Sequence, residues 1–355
     1  MSGEHDVSLA SARSVLEAAK DLDVIPLVIG RDGALLSSGE SRRLLGLPHV
    51  PPLEGGSGSA EQGQPLALAG EEEASAPADL PAAHRGALTL ARAVGEADVV
   101  FPLLHGPFGE DGRVQGMLDM LGLPYVGAGV FGSAVAMDKL GMKAVFAAHD
   151  LPQVRYVPVT RHRWRRAQGE VTEEVGLLGL PLFVKPANLG SSIGISRVDE
   201  AHELGPAMDE AFRHDRRVVV EAGVVGAREL EIAVLGNDEP ELSVVGEIRY
   251  GGEFYDYTTK YTDGEAQLIV PADVPEEVVE RLRAMALRAF AAVDAAGMAR
   301  VDFFYQPESG ELLLNEINTI PGFTRHSMYP LLWQASGVPY PQLIRRLVDL
   351  ALEER

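Results

Sequence analysis

Cysteine is absent from all 355 residues. Its absence excludes disulfide scaffolds, thiolate metal sites and cysteine nucleophiles, and makes a reducing cytoplasm the expected setting. Long apolar runs are also absent. Nothing approaches the ~18 to 20 residues of a spanning helix, and the N-terminus lacks a basic segment followed by a hydrophobic stretch, so no membrane association or secretion is expected. Basic residues are few, 31 against 52 acidic, for a formal charge of −21. Such a surface repels a phosphate backbone and excludes nucleic acid as a partner. Lysine is rarer still: Lys20, Lys139, Lys143, Lys185 and Lys260 are lysine and the other 26 basic residues are arginine. Each lysine is therefore a candidate for a site needing a compact, mobile ammonium, with a solvated surface lysine as the ordinary alternative.

What is present is a 46% hydrophobic composition, enough for two to three domains at about 150 residues each. Ala12, Val15, Leu16, Ala19 and Leu22 fall at helical spacing, and the run Val24 to Ile29 reads as a buried strand. From about Leu36 to Gly86 glycine, serine, proline and an acidic triplet predict a surface insertion with little structure. Asp98 to Leu104 reads as a strand entering His105-Gly106 and Gly109-Glu110-Asp111-Gly112, followed by a helix at about Arg113 to Leu121. This is an α/β unit. A helix from about Gly132 to His149, without interruption, leads into strands at Val154 to Val159, Leu180 to Lys185, Val218 to Glu221, Leu230 to Leu235 and Leu242 to Ile248. The second half is of α+β type. A helix at Pro275 to Ala296, a hairpin of Ala299 to Tyr305 with Glu311 to Asn318, and an amphipathic helix at Tyr340 to Leu352 complete the chain.

In the hairpin, Arg300 and Asp302 project from one face, as do Glu316 and Asn318, because side chains two apart share a side of a strand. With the turn near Glu308 and Ser309, Asp302 falls opposite Leu314 to Glu316. Two carboxylates and an amide then converge, an oxygen-only set suited to magnesium or manganese rather than zinc. A simply polar strand face is the competing reading. The metal reading is favoured because Asn315, Glu316 and Asn318 interrupt an otherwise apolar core strand.

The loop Asn188 to Gly194 follows the strand that ends in Lys185-Pro186, and its glycines and serines let backbone N–H groups close on an anion. It is not a Walker A loop, and alone it reads equally as a hairpin turn. Gly127-Ala128-Gly129-Val130-Phe131-Gly132 matches a dinucleotide fingerprint but lacks the second strand with its acidic residue, so these glycines read as a domain junction. Phe254 to Tyr261, between Gly251-Gly252 and Gly264, alternates aromatic and polar residues and reads as a lid loop over 251–264, with an aromatic strand as the alternative.

Taken together, Glu4-His5-Asp6-Val7-Ser8-Leu9, Leu104-His105-Gly106 with Gly109 to Gly112, Met137-Asp138-Lys139, Val184-Lys185-Pro186 with Gly190-Ser191-Ser192, Phe254 to Tyr261, Arg300-Val301-Asp302, and Asn315 to Asn318 with Pro321-Gly322-Phe323-Thr324 resemble the D-alanine:D-alanine ligases of the ATP-grasp superfamily. The resemblance spans nearly the whole chain outside the insertion. It implies an ATP-grasp fold with an N-terminal Rossmann-like substrate domain over 1–127, a central subdomain over 128–224 and a C-terminal subdomain over 225–355 that carries the metal site and lid. It further implies that Lys139, Lys185 and Lys260 hold ATP phosphates, that Glu221 and Glu229 meet adenine and ribose, and that the loop with Ser191 closes over the γ-phosphate.

By the same resemblance Glu4 holds the ammonium of a first D-alanine and links with Ser191 and Tyr261, while Arg300 stabilises the oxyanion of the tetrahedral intermediate. Gly322 and Ser327 lie with the substrate, Ser327 near the second carboxylate; Glu110 is a supporting residue. Two Mg2+ (or Mn2+) ions would sit on Asp302, Glu316 and Asn318. The implied reaction makes D-alanyl-D-alanine through an acyl phosphate, for peptidoglycan precursors, in a cytoplasmic homodimer. Tyr261 matches the pattern that goes with a dipeptide rather than a D-lactate ester. In one respect the chain departs from the family: it begins Met1-Ser2-Gly3-Glu4, where relatives place a hydrophobic strand and a glycine pair before this glutamate. The expectation is a strand encoded upstream of Met1. The rival readings are an ATP-grasp ligase for another acceptor and a nucleotide-binding protein without turnover.

Overall fold

The computed structural model describes residues 4–31, 35–47, 94, 97–190, 192–250 and 266–353. Ser191, Lys260, Tyr261, the lid at 251–264 and most of the expected insertion lie outside the described residues. The chain divides into two compact units, one of Met1 with Leu22–Ala97, the other of Ser2–Asp21 with Asp98–Arg355.

The larger unit opens with α1 (His5–Ala18), which begins earlier than the apolar spacing indicates because Glu4 and Asp6 suit the positive end of a helix. In the smaller unit, α2 (Ser38–Leu44) corrects the expectation of an unstructured start to the insertion. Ser37 and Glu40 form a reciprocal capping box there, a short-range signal that the glycine-rich surroundings obscure. The run Val24 to Ile29 is not a strand: among the described residues it makes one antiparallel bridge, Ile29 to Leu35. Asp98 to Leu104 likewise contributes a single parallel bridge, Val100 to Tyr125. Val24 and Ile25 are exposed as well, so an apolar run by itself settles neither burial nor a strand, which needs a partner along its length.

In the larger unit, α3 (Arg113–Leu121) starts where expected. The helix expected from Gly132 to His149 is instead two, α4 (Val130–Met137) and α5 (Lys139–Ala148). Asp138 separates them. It leaves helical conformation and its carboxylate accepts from the backbone N–H of Leu140 (3.1 Å) and Gly141 (2.9 Å), satisfying two donors that a helix start leaves open.

A four-stranded antiparallel sheet in the order β1-β4-β2-β3 is built from β1 (Tyr156–Thr160), β2 (Leu182–Pro186), β3 (Ser196–Val198) and β4 (Arg217–Ala222). One face carries Val157, Val159, Leu182, Val184, Val198, Val218 and Val220 into a core. That core is closed by α6 (Arg161–Arg166), α7 (Gln168–Gly176) and α8 (Leu204–His214). By alternation the other face carries Phe183, Lys185 and Glu221, with Phe183 directly opposite Glu221.

A five-stranded antiparallel sheet in the order β7-β6-β5-β8-β9 is built from β5 (Arg228–Gly236), β6 (Glu241–Tyr250), β7 (Ala266–Ile269), β8 (Gly297–Gln306) and β9 (Glu311–Asn318). Leu230, Ile232, Val301, Phe303, Leu314 and Ile317 face α9 (Glu276–Ala292) and α5 in the main core. At about 25 cal/mol per Å2 of apolar surface, such fully buried side chains contribute roughly 1.5 to 3 kcal/mol each. The opposite face presents Glu229, Glu231, Arg300, Asp302, Glu316 and Asn318. Finally α10 (Met328–Ala335) packs on β5 and β6, and α11 (Tyr340–Ala351) packs against α10.

Candidate active site

The polar faces of the two sheets, the start of α1 and the segment after β9 enclose one cavity of about 1410 Å3 within the larger unit. From the four-stranded sheet Lys185 and Glu221 reach into it. The Glu221 carboxylate lies 2.6 Å from Lys185 Nζ and 2.8 Å from Lys143 Nζ, and Lys143 is 1% exposed. Burial alone would raise the pKa of Glu221, but the two ammonium groups overcome it and bring it down to about 2. Burial works against the charge on Lys185 as well; Glu221, with Glu316 and Glu229 farther off, outweighs it and raises the pKa of the lysine.

Lys139 occupies the first turn of α5, immediately after the capping Asp138, whose carboxylate also pairs with Arg217. The backbone N–H of Lys139 donates to the Ala187 carbonyl (2.9 Å) and its Nζ donates to the Leu189 carbonyl. Burial, reinforced by the charge on Lys185, lowers its pKa despite the attraction of Glu316. The loop after β2 is anchored at Asn188, whose N–H and Nδ2 both donate to Asp215 Oδ2 at 3.0 and 2.9 Å. At Gly190 a Cβ would lie 3.2 Å from Glu4 Oε2, so the loop runs close against the Glu4 carboxylate.

The hairpin brings its four predicted residues together. Asp302 is paired directly with Glu316, and Arg300 with Asn318. A bulge between Asp302 and Phe303 leaves Asn315 as the extra residue of β9. This places Leu314 and Ile317 in the core while Glu316 and Asn318 face the cavity. Arg300 Nε donates to Asp302 Oδ1 (2.8 Å) and its Nη2 to Asp302 Oδ2 (2.7 Å), and Nε lies 3.0 Å from Glu231 Oε2. Burial opposes the charge on Arg300, yet Asp302 and Glu231 hold its pKa well above the usual guanidinium value. Asn318 Nδ2 donates to Asp302 Oδ2 (3.0 Å), which leaves the amide oxygen as its remaining acceptor. Among the described residues no three His, Cys, Asp or Glu side chains form a metal cage. Two opposed carboxylates and an amide oxygen nonetheless fit a hard divalent cation that takes its other oxygens from phosphate.

On the far side, Glu4 is buried at the start of α1 and lines the same cavity. Gly322 and Ser327 line it too; Ser327 Oγ lies 2.8 Å from Thr324 Oγ1 and accepts from the Thr324 N–H at 3.1 Å. Glu229 lines the cavity from β5. Sequence reasoning leaves His105 without a role. It is buried, with Nε2 at 3.0 Å from Ser11 Oγ and Nδ1 at 3.2 Å from both Glu110 Oε1 and the Ile320 carbonyl. Burial disfavours its charge, but Glu110 and the more distant Glu4 raise its pKa. Lys143 and Glu231 are the other two residues without an assigned role; lysine scarcity points toward the first, and the alternation Glu229-Leu230-Glu231 toward the second.

Comparison with known proteins decides the family. The model described as D-ala D-ala ligase N-terminus matches residues 1–128, and that described as D-ala D-ala ligase C-terminus matches 145–349. The chain belongs to the D-Ala–D-Ala ligase family. A D-alanine–D-alanine ligase of Deinococcus radiodurans is 49% identical over 357 aligned residues, covering 100% of this chain and 96% of that protein. One from Geobacillus thermodenitrificans is 47% identical, covering 99% and 93%. Among solved structures, the VanG D-Ala:D-Ser ligase of Enterococcus faecalis has a TM-score of 0.77 at 32% identity, covering 99% of this chain and 96% of that one. The D-alanine–D-alanine ligase of Coxiella burnetii has a TM-score of 0.74 at 32% identity, covering 99% and 90%. As in these ligases, the fold is of the ATP-grasp type.

Proposed function

We propose that this D-Ala–D-Ala ligase family member joins two D-alanine molecules into D-alanyl-D-alanine, with ATP converted to ADP and phosphate, as a step in making peptidoglycan precursors. The observation that carries the reading is the single cavity in which Lys139 and Lys185 face the Asp302 and Glu316 pair, while Glu4, Arg300 and Ser327 line the space around them. A carboxylate is a poor electrophile. Transfer of the γ-phosphoryl group to the first D-alanine carboxylate turns it into an acyl phosphate, and attack by the amine of the second forms the amide as phosphate leaves and the amine loses a proton.

In this reading Lys139 and Lys185, with Lys260, hold the phosphates, and the Ser191 loop covers the γ-phosphate. Glu229 meets the ribose, and Glu221 flanks the adenosine while its carboxylate keeps Lys185 in place. Glu4 binds the first ammonium, Arg300 meets the oxyanion of the tetrahedral intermediate, and Gly322 with Ser327 flank the second carboxylate. Tyr261 belongs to the lid. Family membership implies a divalent cation; Asp302, Glu316 and Asn318 would hold two Mg2+ (or Mn2+), which offset phosphate charge when bound. Most of the catalysis is then positioning and electrostatics.

The assignment extends to a homodimer in the cytoplasm and to a division at 128–224 and 225–355. In support of that division, the four-stranded sheet falls wholly within the first span and the five-stranded sheet within the second. No helix among the described residues is long and apolar enough to cross a membrane.

The test is ADP release from Mg-ATP with D-alanine, L-alanine or no amino acid, with chromatography of the product. The expected result is ADP and D-alanyl-D-alanine with D-alanine alone. Arms with D-serine or D-lactate as the second substrate examine the acceptor, since one structural neighbour is a D-Ala:D-Ser ligase. ATP binding without D-alanine-dependent ADP would overturn the proposal.

A further inference from the structure

Glu231 sits near the middle of β5, the central strand of the five-stranded sheet, and is 5% exposed. Register places Glu231, Asp302 and Glu316 in one row across β5, β8 and β9, three carboxylates on one face where direct neighbours of like charge repel. Arg300, two residues before Asp302 on β8 and paired with Asn318, reaches into this row. Its Nε lies 3.0 Å from Glu231 Oε2, while Nε and Nη2 donate to the two oxygens of Asp302. Asp302 also accepts from Asn318 and stands opposite Glu316, so its oxygens are wanted from two directions. An arginine leaning on Asp302 alone would compete with a cation for the same carboxylate.

The neighbourhood is built to keep Glu231 in place. Gly246 faces it across the β5–β6 pair, and a Cβ there would lie 2.9 Å from Met328 Sδ, so glycine lets α10 close over this end of the sheet. What ties Glu231 to the arginine is its carboxylate, 3.0 Å from Arg300 Nε.

We propose that Glu231 is a positioning residue that gives Arg300 a second carboxylate besides Asp302, so that the guanidinium stays aimed at the reacting carboxyl group when Asp302 turns to a divalent cation. The inference rests on the roles given above to Arg300 and Asp302. Its test uses the full-length protein, Glu231→Gln, which keeps the shape and removes the charge, and Glu231→Asp, which keeps the charge and shortens the reach. Free Mn2+ is counted by electron paramagnetic resonance in protein saturated with a non-hydrolysable ATP analogue. The kcat and KM values are measured across Mg2+ concentrations.

With Glu231→Gln, Asp302 is the carboxylate left in hydrogen-bonding contact with Arg300, and a cation must displace the guanidinium to reach it. Mn2+ affinity and kcat should then each drop by about tenfold or more, with KM for ATP within about twofold, and Glu231→Asp should recover part of both. Unchanged Mn2+ affinity in Glu231→Gln overturns the inference, whatever happens to thermal stability, because a merely structural role would lower stability and leave the cation alone. If the wild-type protein forms no ADP with D-alanine, the functional reading falls, and the Mn2+ titration still decides the role of Glu231.

Discussion

Lys143 carries an ammonium into a site only 1% exposed, where a carboxylate at 2.8 Å is what makes the charge tolerable. It sits one helical turn from Lys139, and its ring neighbour is Tyr156, 5.2 Å from Nζ. Lys143→Met should remove about 3 kcal/mol of stability, because Glu221 stays buried with half its compensation gone. It should also raise KM for ATP more than it lowers kcat, since Glu221, the carboxylate that holds Lys185, loses its second ammonium partner. Thermal denaturation and steady-state kinetics on the same preparation check both; an unchanged KM would detach Lys143 from nucleotide binding. Glu221 itself makes a pH prediction. Its pKa falls from the usual 4.5 to about 2 on folding, so its stabilising contribution is present above 4.5 and is lost as pH falls through 2. The size is about 3 kcal/mol at 1.36 kcal/mol per unit. Urea midpoints measured down the acid range should therefore fall less steeply in Glu221→Gln than in the wild type between those two values.

Among the elements, the β8–β9 hairpin shows most directly how the fold makes the site. Leu312 and Leu314 face the core, and continued strict alternation would send Glu316 the same way. The extra residue Asn315 changes the phase, so that Ile317 takes the core position and Glu316 and Asn318 turn to the cavity. Deleting Asn315 makes Leu314, Glu316 and Ile317 consecutive, and strict alternation then keeps Glu316 on the cavity face, so the shortened variant should hold kcat within about tenfold of the wild type; Asn315→Ala, which keeps the bulge, should retain most activity. A larger loss in the deletion variant would mean that the bulge does more than set the face of Glu316, and would sink the argument. The hairpin is legible in the sequence because its turn is local and because polar residues inside an apolar run mark a face, although the register there stays open between Leu314 and Glu316. The break at Asp138 is not, since an aspartate among apolar residues looks like a surface position until its carboxylate is seen capping α5. Val24 to Ile29 and Asp98 to Leu104 mislead for a related reason: their apolar character is local, while ladder partners are not. Lys143 and Glu231 escape notice because each is explained only by a partner far along the chain, Glu221 and Arg300.

For the molecule as a whole, the formal charge of −21 and the two lysines that line the cavity, Lys139 and Lys185, act on an anionic nucleotide at different ranges. At a distance the acidic surface repels it, and that repulsion is screened over a Debye length of about 10 Å at 0.1 M salt. Within the cavity Lys139 and Lys185 act over a few ångströms in partly buried surroundings, where salt screens far less. Adding salt up to about 0.15 M should therefore speed nucleotide association while leaving dissociation nearly unchanged, the reverse of the slowing seen when opposite charges steer a ligand in. Stopped-flow binding of a fluorescent ATP analogue at constant free Mg2+ reads both rates. An association rate that falls as salt is added would mean that the local field of the lysines extends beyond the cavity mouth and governs capture. A rate that rises would mean that the acidic surface is the barrier and the lysines act only after entry, and charge reversals far from the site, such as Glu276→Lys at the exposed start of α9, should then accelerate binding at low salt without altering kcat.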